Sequence, residues 1–300
     1  MPPELSELDQ RIASALQVDG RAGPTRIAEV LDISPRTVTR SLTRLSAVLR
    51  VVRVPNPRLG LPQVTMLRLR VLRGRVEVIA DSLSRHPEVL FIDIVAGAEE
   101  IIAVTVGPVP RLPTTQAITT LQSLAVLHVF SDAADWRTGL LTKAETDALT
   151  PDVSVTPLSL DPLDHHLITE LTTNARLPTP TLAATLKTPE STLRRRLDRL
   201  AAAGYLRTCV ITTPRTFGLT VDANIWMTVP PGQLPAVGAR LAATPQVHGV
   251  LATTGPTNLM AAVFCKDMPE LYHFVTSLTD IPSAEVTLIT TALKRAGHRP

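Results

Sequence analysis

Two clusters of arginine and hydroxyl side chains recur in this chain at helical spacing. The first holds Arg36, Thr37, Arg40, Thr43 and Arg44; the second holds Ser191, Thr192, Arg194, Arg195 and Arg199. At about 100° per residue, Arg36, Arg40 and Thr43 share one helix face, flanked by Thr37, Thr39 and Arg44. Val38, Leu42 and Leu45 fall on the opposite, core-facing side. In the second cluster Ser191, Arg195 and Asp198 share a face, flanked by Thr192, Arg194 and Arg199, and Leu193, Leu197 and Leu200 lie opposite. Guanidinium groups suit phosphate oxygens and guanine edges, and hydroxyls suit phosphates or bases. Both faces are therefore candidate readers of double-stranded DNA. One such face alone is equally consistent with a solvated helix; two in matching positions favour DNA.

The matching positions belong to an internal repeat. Sliding the chain by 155 residues lays Leu5–Leu45 over Leu160–Leu200 without a gap. The identities include Leu8/Leu163, Leu16/Leu171, Ala28/Ala183, Leu31/Leu186, Leu42/Leu197 and Leu45/Leu200, where a core would lie, together with Asp9/Asp164, Arg21/Arg176, Arg40/Arg195 and Arg44/Arg199. After a three-residue shift the correspondence resumes with Gly60/Gly218, Pro87/Pro245, Val89/Val247 and Gly97/Gly255. Each copy opens with three helical patterns. Leu8, Ile12 and Leu16 line the first, as do Leu163, Leu167 and Leu171. A short second helix carries Ile27, Ala28 and Leu31, or Leu182, Ala183 and Leu186. Ser34 with Pro35 starts the third helix in copy one, and Thr188 with Pro189 takes those parts in copy two. A short helix, a tight break and a second helix at an angle make a helix-turn-helix.

The second part of each copy changes period. Thr65–Val71 and Ala223–Val229 alternate like strands, and Val76–Arg85 and Leu234–Ala243 read as helices. Val89–Val95 with Ile101–Val106, and Val247–Thr253 with Leu259–Phe264, read as strand pairs turning at Gly97 and Gly255. A further helix is expected near Thr114–Leu124 and at Pro269–Leu278, then a last strand, Val126–Phe130 or Glu285–Thr290. The fold class is thus α+β, two copies of a helix-turn-helix domain followed by a ferredoxin-like βαββαβ domain. The expected domains are residues 1–53, 62–131, 160–208 and 220–295, with a connector at 132–159. Thr142 and Glu145 form a candidate capping box in that connector, and Pro151 and Pro157 break any helix at its end.

Composition narrows the function. With 30 Lys+Arg against 27 Asp+Glu the net charge is +3, so no polybasic tail dominates and a nucleic-acid surface must be local. Aromatics at 3% argue against base-stacking platforms for single strands. Two cysteines, Cys209 and Cys265, cannot build a disulfide framework or a cysteine-rich zinc site, and a reduced chain fits best. No apolar run is long enough for a membrane span, and Met1-Pro2-Pro3-Glu4 opens no signal peptide, so a cytoplasmic location is expected. His165-His166 sit side by side on a helix and point apart, so no metal site is expected. HExxH, Walker, GxGxxG and nucleophile-elbow motifs do not occur. No cofactor and no catalytic residues are expected.

The segments LSELDQRIASALQVDGR at Leu5–Arg21, LDPLDHHLITELTTNAR at Leu160–Arg176, IAEVLDISPRTVTRSLTRL at Ile27–Leu45 and LAATLKTPESTLRRRLDRLAAAGYLR at Leu182–Arg207 resemble the leucine-responsive/asparagine-operon (Lrp/AsnC) regulators. The resemblance covers nearly the whole chain, twice, and WRTGLLTKAETDAL at Trp136–Leu149 resembles the connector of tandem members. It implies a helix-turn-helix joined to a ligand-sensing and oligomerisation domain, hence duplex DNA and a small-molecule effector, such as an amino acid, as partners. It also implies a homo-oligomer, with the two βαββαβ parts paired inside one chain. Copy one departs with Ser41 where the family has Arg, and with Leu49 where copy two has Gly204. Copy two departs with Asp198 on its outer face, which phosphates would repel. Ser41 and Leu49 leave open an interaction module whose DNA-binding face has decayed.

For the effector, the resemblance points to the turn between the second and third strands of each βαββαβ part: Gly97 and Glu100, and Gly255 and Asn258. Glycine lets a ligand carboxylate approach free backbone N–H groups, and Glu100 could hold an ammonium group that Asn258 could only hydrogen-bond. Tight hairpin glycines and a solvated strand-end charge are the plainer reading. Siroheme decarboxylases resemble the same two-part tandem architecture and supply an enzymatic alternative. His248 lies near the required region but lacks dense Tyr, Arg and His neighbours, being followed by Gly249-Val250-Leu251.

Overall fold

The computed structural model describes residues 5–59, 63–110, 116–153 and 158–299. Copy one contains α1 (Glu7–Val18), α2 (Pro24–Leu31), α3 (Pro35–Leu45), β1 (Leu49–Pro55), β2 (Val64–Val71), α4 (Val76–Ser84), β3 (Val89–Val95), β4 (Glu100–Val106) and β5 (Ile118–Ser131). The connector carries α5 (Lys143–Leu149). Copy two contains α6 (Pro162–Thr173), α7 (Thr179–Leu186), α8 (Glu190–Ala202), β6 (Leu206–Thr212), β7 (Val221–Thr228), α9 (Leu234–Ala242), β8 (Val247–Thr253), β9 (Leu259–Cys265), α10 (Met268–Thr276) and β10 (Ser283–Lys294). The chain forms two compact units, and each takes one part from each copy: residues 1–60 with 137–213, and 61–136 with 214–300.

The first unit holds both helix-turn-helix domains and α5. They are tied by β1 and β6, which pair antiparallel from Leu49↔Thr212 to Pro55↔Leu206. Sequence reading did not anticipate this two-stranded sheet, although LRVVRVP and LRTCVIT are both rich in β-branched residues. The repeat also ties the unit reciprocally. Arg21 donates to the carbonyls of Ala175 (2.6 Å) and Leu177 (3.4 Å), and Arg176 donates to those of Gly20 (2.8 Å) and Ala22 (3.2 Å). Helix α5 starts with the expected Thr142/Glu145 capping box and packs on α1 and α2.

The second unit is a closed eight-stranded barrel in the order β10-β3-β4-β2-β5-β8-β9-β7. Each copy contributes four neighbouring strands. The long strands β5 and β10 close the barrel, because their first halves pair within their own copy and their second halves cross to the other. Leu124 pairs with Met66 while Val129 pairs with Leu251. Likewise Val286 pairs with Ile225, and Ile289 with Val95. Met66, Val95, Ile102, Leu124, Trp226 and Met260 fill one core between the two half-barrels. Helix α4 covers a core of its own copy, and α9 and α10 cover that of theirs.

Copy one does not form the helix expected near Thr114–Leu124. Thr114 and Thr115 lie outside the described residues, and from Ile118 the chain is already strand β5. Ile118, Thr119 and Thr120 are β-branched, and β5 pairs there with β2, so the sheet wins over the helical pattern. Two helix details also differ. The inner stripe of α3 is Val38, Ser41 and Leu45, with Leu42 only half-buried. Pro189 takes the N-cap position of α8, and the Thr188 hydroxyl donates back to the Leu186 carbonyl instead of capping. No described helix is long and apolar enough to cross a membrane.

Candidate nucleic-acid interface

Helix α3 is launched by Ser34, whose hydroxyl accepts from the Thr37 N–H at 3.1 Å. The Thr37 hydroxyl closes on Ser34 at 2.8 Å, so Thr37 belongs to the cap and is half-buried. Thr39 and Thr43 donate their hydroxyl protons to the carbonyls of Pro35 (2.9 Å) and Thr39 (3.1 Å), leaving only acceptor lone pairs outward. Arg36 and Arg40 are exposed, and among the described residues no hydrogen bond or ion pair holds them. Arg44 differs. It makes a two-pronged pair with Asp9 of α1, Nη2 to Oδ1 at 2.6 Å and Nε to Oδ2 at 3.3 Å.

Helix α8 repeats the pattern with different partners. Ser191, Arg194, Arg195 and Asp198 are exposed, Thr192 is half-buried, and the three charged groups among them are unpaired among the described residues. Arg199 pairs with the fully buried carboxylate of Asp164, as Arg44 does with Asp9. Arg196, at the position of Ser41, bridges Asp161 (2.7 Å) and Asp164 (2.8 Å). Ser41 itself is fully buried and donates to Asp9. Position 41/196 therefore faces the first helix of its domain, and Ser41 is no loss from the outer face. Burial alone would raise the Asp164 carboxyl, but hydrogen bonds from Arg196, the Asp161 N–H and Arg199 outweigh it and hold it below the usual range. Arg44, Ser41 and Ser6 do the same for Asp9 against its own burial.

The candidate effector residues are engaged inside the barrel unit. Gly97 and Gly255 take φ of +97° and +107°, so each hairpin needs a residue without a side chain there. Glu100 was expected to offer a free carboxylate or a solvated charge and does neither: it accepts from Arg68 Nε at 2.6 Å and is only 11% exposed. Arg68 also reaches Glu285 at 2.9 Å and lies 4.2 Å over the ring of Trp226. Asn258 spends its amide on backbone, accepting from the Val229 N–H (2.9 Å) and donating to the Val229 carbonyl (2.8 Å). Arg68 and Trp226 stand 158 residues apart, the offset of the second repeat, so the contact joins equivalent positions of the two copies.

A second charged cluster inside the barrel also escaped sequence reading. Arg295 is buried between Asp93, which accepts from its Nη1, and Asp222, 3.0 Å from its Nη2. His248 stacks on Phe264 with ring centroids 3.7 Å apart, and its Nε2 lies 3.9 Å from Asp222, with no hydrogen-bond partner among the described residues. Burial lowers the His248 pKa, against the pull of Asp222. Both cysteines are buried and outside any disulfide, and no described cluster of three or more His, Cys, Asp or Glu side chains is placed to hold a metal.

The AsnC-type helix-turn-helix domain matches residues 5–46 and 160–201, and the Lrp/AsnC ligand-binding domain matches residues 222–300. The chain belongs to the Lrp/AsnC family. Among curated Lrp/AsnC-like relatives, an uncharacterized HTH-type transcriptional regulator of Pyrococcus horikoshii is 27% identical over 142 residues, 46% of this chain and 90% of that protein. HTH-type transcriptional regulator FL11 of the same organism is 27% identical over 136 residues, 45% of this chain and 90% of its own length. A single-copy relative thus spans about half of this two-copy chain. Over its whole length the fold is similar to the siroheme decarboxylase NirDL, with a TM-score of 0.60 and 15% identity, covering 97% of this chain and 93% of that one.

Proposed function

We propose that the chain is a sequence-specific DNA-binding transcriptional regulator in which α3 and α8 are the reading helices. One observation carries this reading. On both helices the arginines split in the same way: Arg44 and Arg199 are consumed by an aspartate of the first helix, while Arg40 and Arg195 stand exposed and unpaired at the centres of the outer faces. Charge kept free on both helices suits phosphate contacts, which need an available guanidinium. Replacing Arg40 and Arg195 together by Ala should weaken duplex binding about tenfold or more and flatten the log–log salt dependence by about one unit per arginine. Both side chains are exposed and make no hydrogen bond or ion pair among the described residues, so unfolding midpoints should hold. Unchanged affinity in an anisotropy titration would remove these helices as readers.

The ligand-binding domain supports a small-molecule effector, an amino acid by preference, in the barrel unit. An effector ammonium would have to displace Arg68 to reach Glu100. Calorimetry over a panel of amino acids, with wild type and Glu100→Gln, tests that site. Equal binding by both forms places the effector elsewhere. A second reading, a tetrapyrrole enzyme resembling the siroheme decarboxylases, draws support from the full-length fold likeness. Against it, His248 lies inside the barrel against Phe264, and Arg295 beside it is committed to two aspartates. Titration with an iron porphyrin separates the readings: a saturable Soret shift, lost in His248→Ala, would favour the enzyme.

A further inference from the structure

The two reading helices share a scaffold but not a surface. Aligned along the repeat, Arg36 faces Ser191, Thr39 faces Arg194, Arg40 faces Arg195 and Thr43 faces Asp198. The exposed face of α3 carries two free arginines and no acid. That of α8 carries Arg194 and Arg195 offset by Glu190 and Asp198, all exposed and unpaired among the described residues. Glu190 stands at the first position of α8, where copy one has Ser34 and Pro35 leading into α3. A helix N-terminus attracts phosphate, and a carboxylate placed there repels it.

We infer that the chain reads an asymmetric operator, with copy one's helix gripping phosphates and guanine edges through Arg36 and Arg40, and copy two's Asp198 accepting from the N4 amino group of a cytosine. The inference rests on the DNA-binding reading above. Asp198 lies on the same outer face as Arg195, about one turn further along α8, so a duplex held by Arg195 brings the carboxylate to the groove. A carboxylate near phosphate is unfavourable, and in the major groove a cytosine amino group is the partner suited to Asp. Copy one has no such charged acceptor. At the equivalent position Thr43, its proton tied to the Thr39 carbonyl, offers only the lone pairs of a neutral hydroxyl.

Selection of sites from a random duplex pool by the full chain tests this, with wild type, Asp198→Thr and Thr43→Asp compared. Wild type should enrich sites whose halves differ, one of them with a fixed C·G pair. Asp198→Thr should lose discrimination at that pair by about tenfold or more, while overall affinity holds or rises. Thr43→Asp should impose the same preference on the other half. Asp198 and Thr43 are exposed, so unfolding midpoints should not move and serve as controls. Symmetric wild-type sites, or an unchanged C·G preference in Asp198→Thr, overturn the inference and leave the regulator reading standing. A wild-type chain that retains no duplex at low salt overturns both.

Discussion

The two helix-turn-helix copies solve one packing problem differently. Both place an aspartate near the start of the first helix, against the third helix. In copy one Asp9 is met by Ser41 and one arginine, Arg44; in copy two Asp164 is met by two arginines, Arg196 and Arg199, and joins Asp161 in a capping box. Surroundings explain the difference in the rest of the first helix. Helix α5 packs on α1 and α2, with Arg11 bonded to Glu145 at 2.5 Å and Arg26 to the Ala148 carbonyl at 2.7 Å. On α1, Ala13, Ser14, Ala15 and Gln17 are buried, and Ser14 and Gln17 hydrogen-bond to Thr138 of the connector. The equivalent groove of copy two is an open cavity of about 330 Å³ lined by His166, Thr169, Glu170, Thr185, Leu186 and Lys187. The covered face has Ala13, Ser14 and Ala15 where the other copy has the larger Ile168, Thr169 and Glu170. Divergence at these sites follows burial, whereas divergence at Thr43/Asp198 has no packing cause.

Removing the aspartate breaks the comparison most severely. Asp164→Ala should cost about 2–4 kcal/mol, because it loses charged hydrogen bonds from two arginines and one side of a capping box. Asp9→Ala should cost about 1–3 kcal/mol, with one arginine and Ser41 released. Urea unfolding followed by far-ultraviolet circular dichroism gives the order, and an inverted order would reject the difference described. Both carboxyls sit below their unfolded values, so each contributes stability above the unfolded pKa that is lost as pH falls through the folded one. The acid sensitivity of this unit should shrink in both variants.

In the barrel, α9 carries Gly238 where α4 carries Ala80. A Cβ at Gly238 would meet the Phe130 ring at 2.3 Å, so Gly238→Ala should destabilise by about 1–3 kcal/mol although alanine is the better helix former. Both tryptophans, Trp136 and Trp226, lie in this unit, so their fluorescence reports it alone. A stabilised Ala variant would mean that Phe130 yields freely.

A smaller effect separates Asp93 from its copy-two counterpart, Leu251. Burial pushes the Asp93 carboxyl up to about 6; Arg295 opposes this and Asp222 adds to it. The folded value lies above the unfolded one, so the native barrel takes the proton more readily and gains stability as pH falls through 6 towards 4. Relative to Asp93→Asn, wild type should therefore improve over that window in fluorescence melts. A constant gap between the two would show that Asp93 stays ionised there. The smallest effect is expected at Ser41. Because that side chain faces Asp9, Ser41→Arg should leave duplex affinity within about twofold once folding is matched, while a rise of tenfold would return the position to the reading face.

Much of the fold was legible because the repeat doubles every signal. Leucines four apart marked α1 and α6, Ser34-Pro35 marked the start of α3, and Thr142 with Glu145 marked α5. The helix expected near Thr114–Leu124 failed where β-branched residues met a waiting strand, a choice that depends on β2 lying alongside. On α3 and α8, exposure of Arg36, Arg40, Arg194 and Arg195 followed from periodicity, but the capture of Arg44 and Arg199 did not. A helical wheel places a side chain on an edge and cannot say that a carboxylate from another helix waits there.

The sequence by itself determined the two-copy plan, the helical and strand periods and the outward faces of α3 and α8, because these depend on residues near one another along the chain. Tertiary structure decided which charges stay free. Glu100 went to Arg68, Asn258 to the Val229 backbone, and Arg295 to Asp93 and Asp222. Tertiary structure also decided that β5 and β10 would cross between copies to close one barrel. Those partners are brought together only by long-range pairing, since burying a charge or a strand edge is tolerable only when a matching group arrives from elsewhere in the chain.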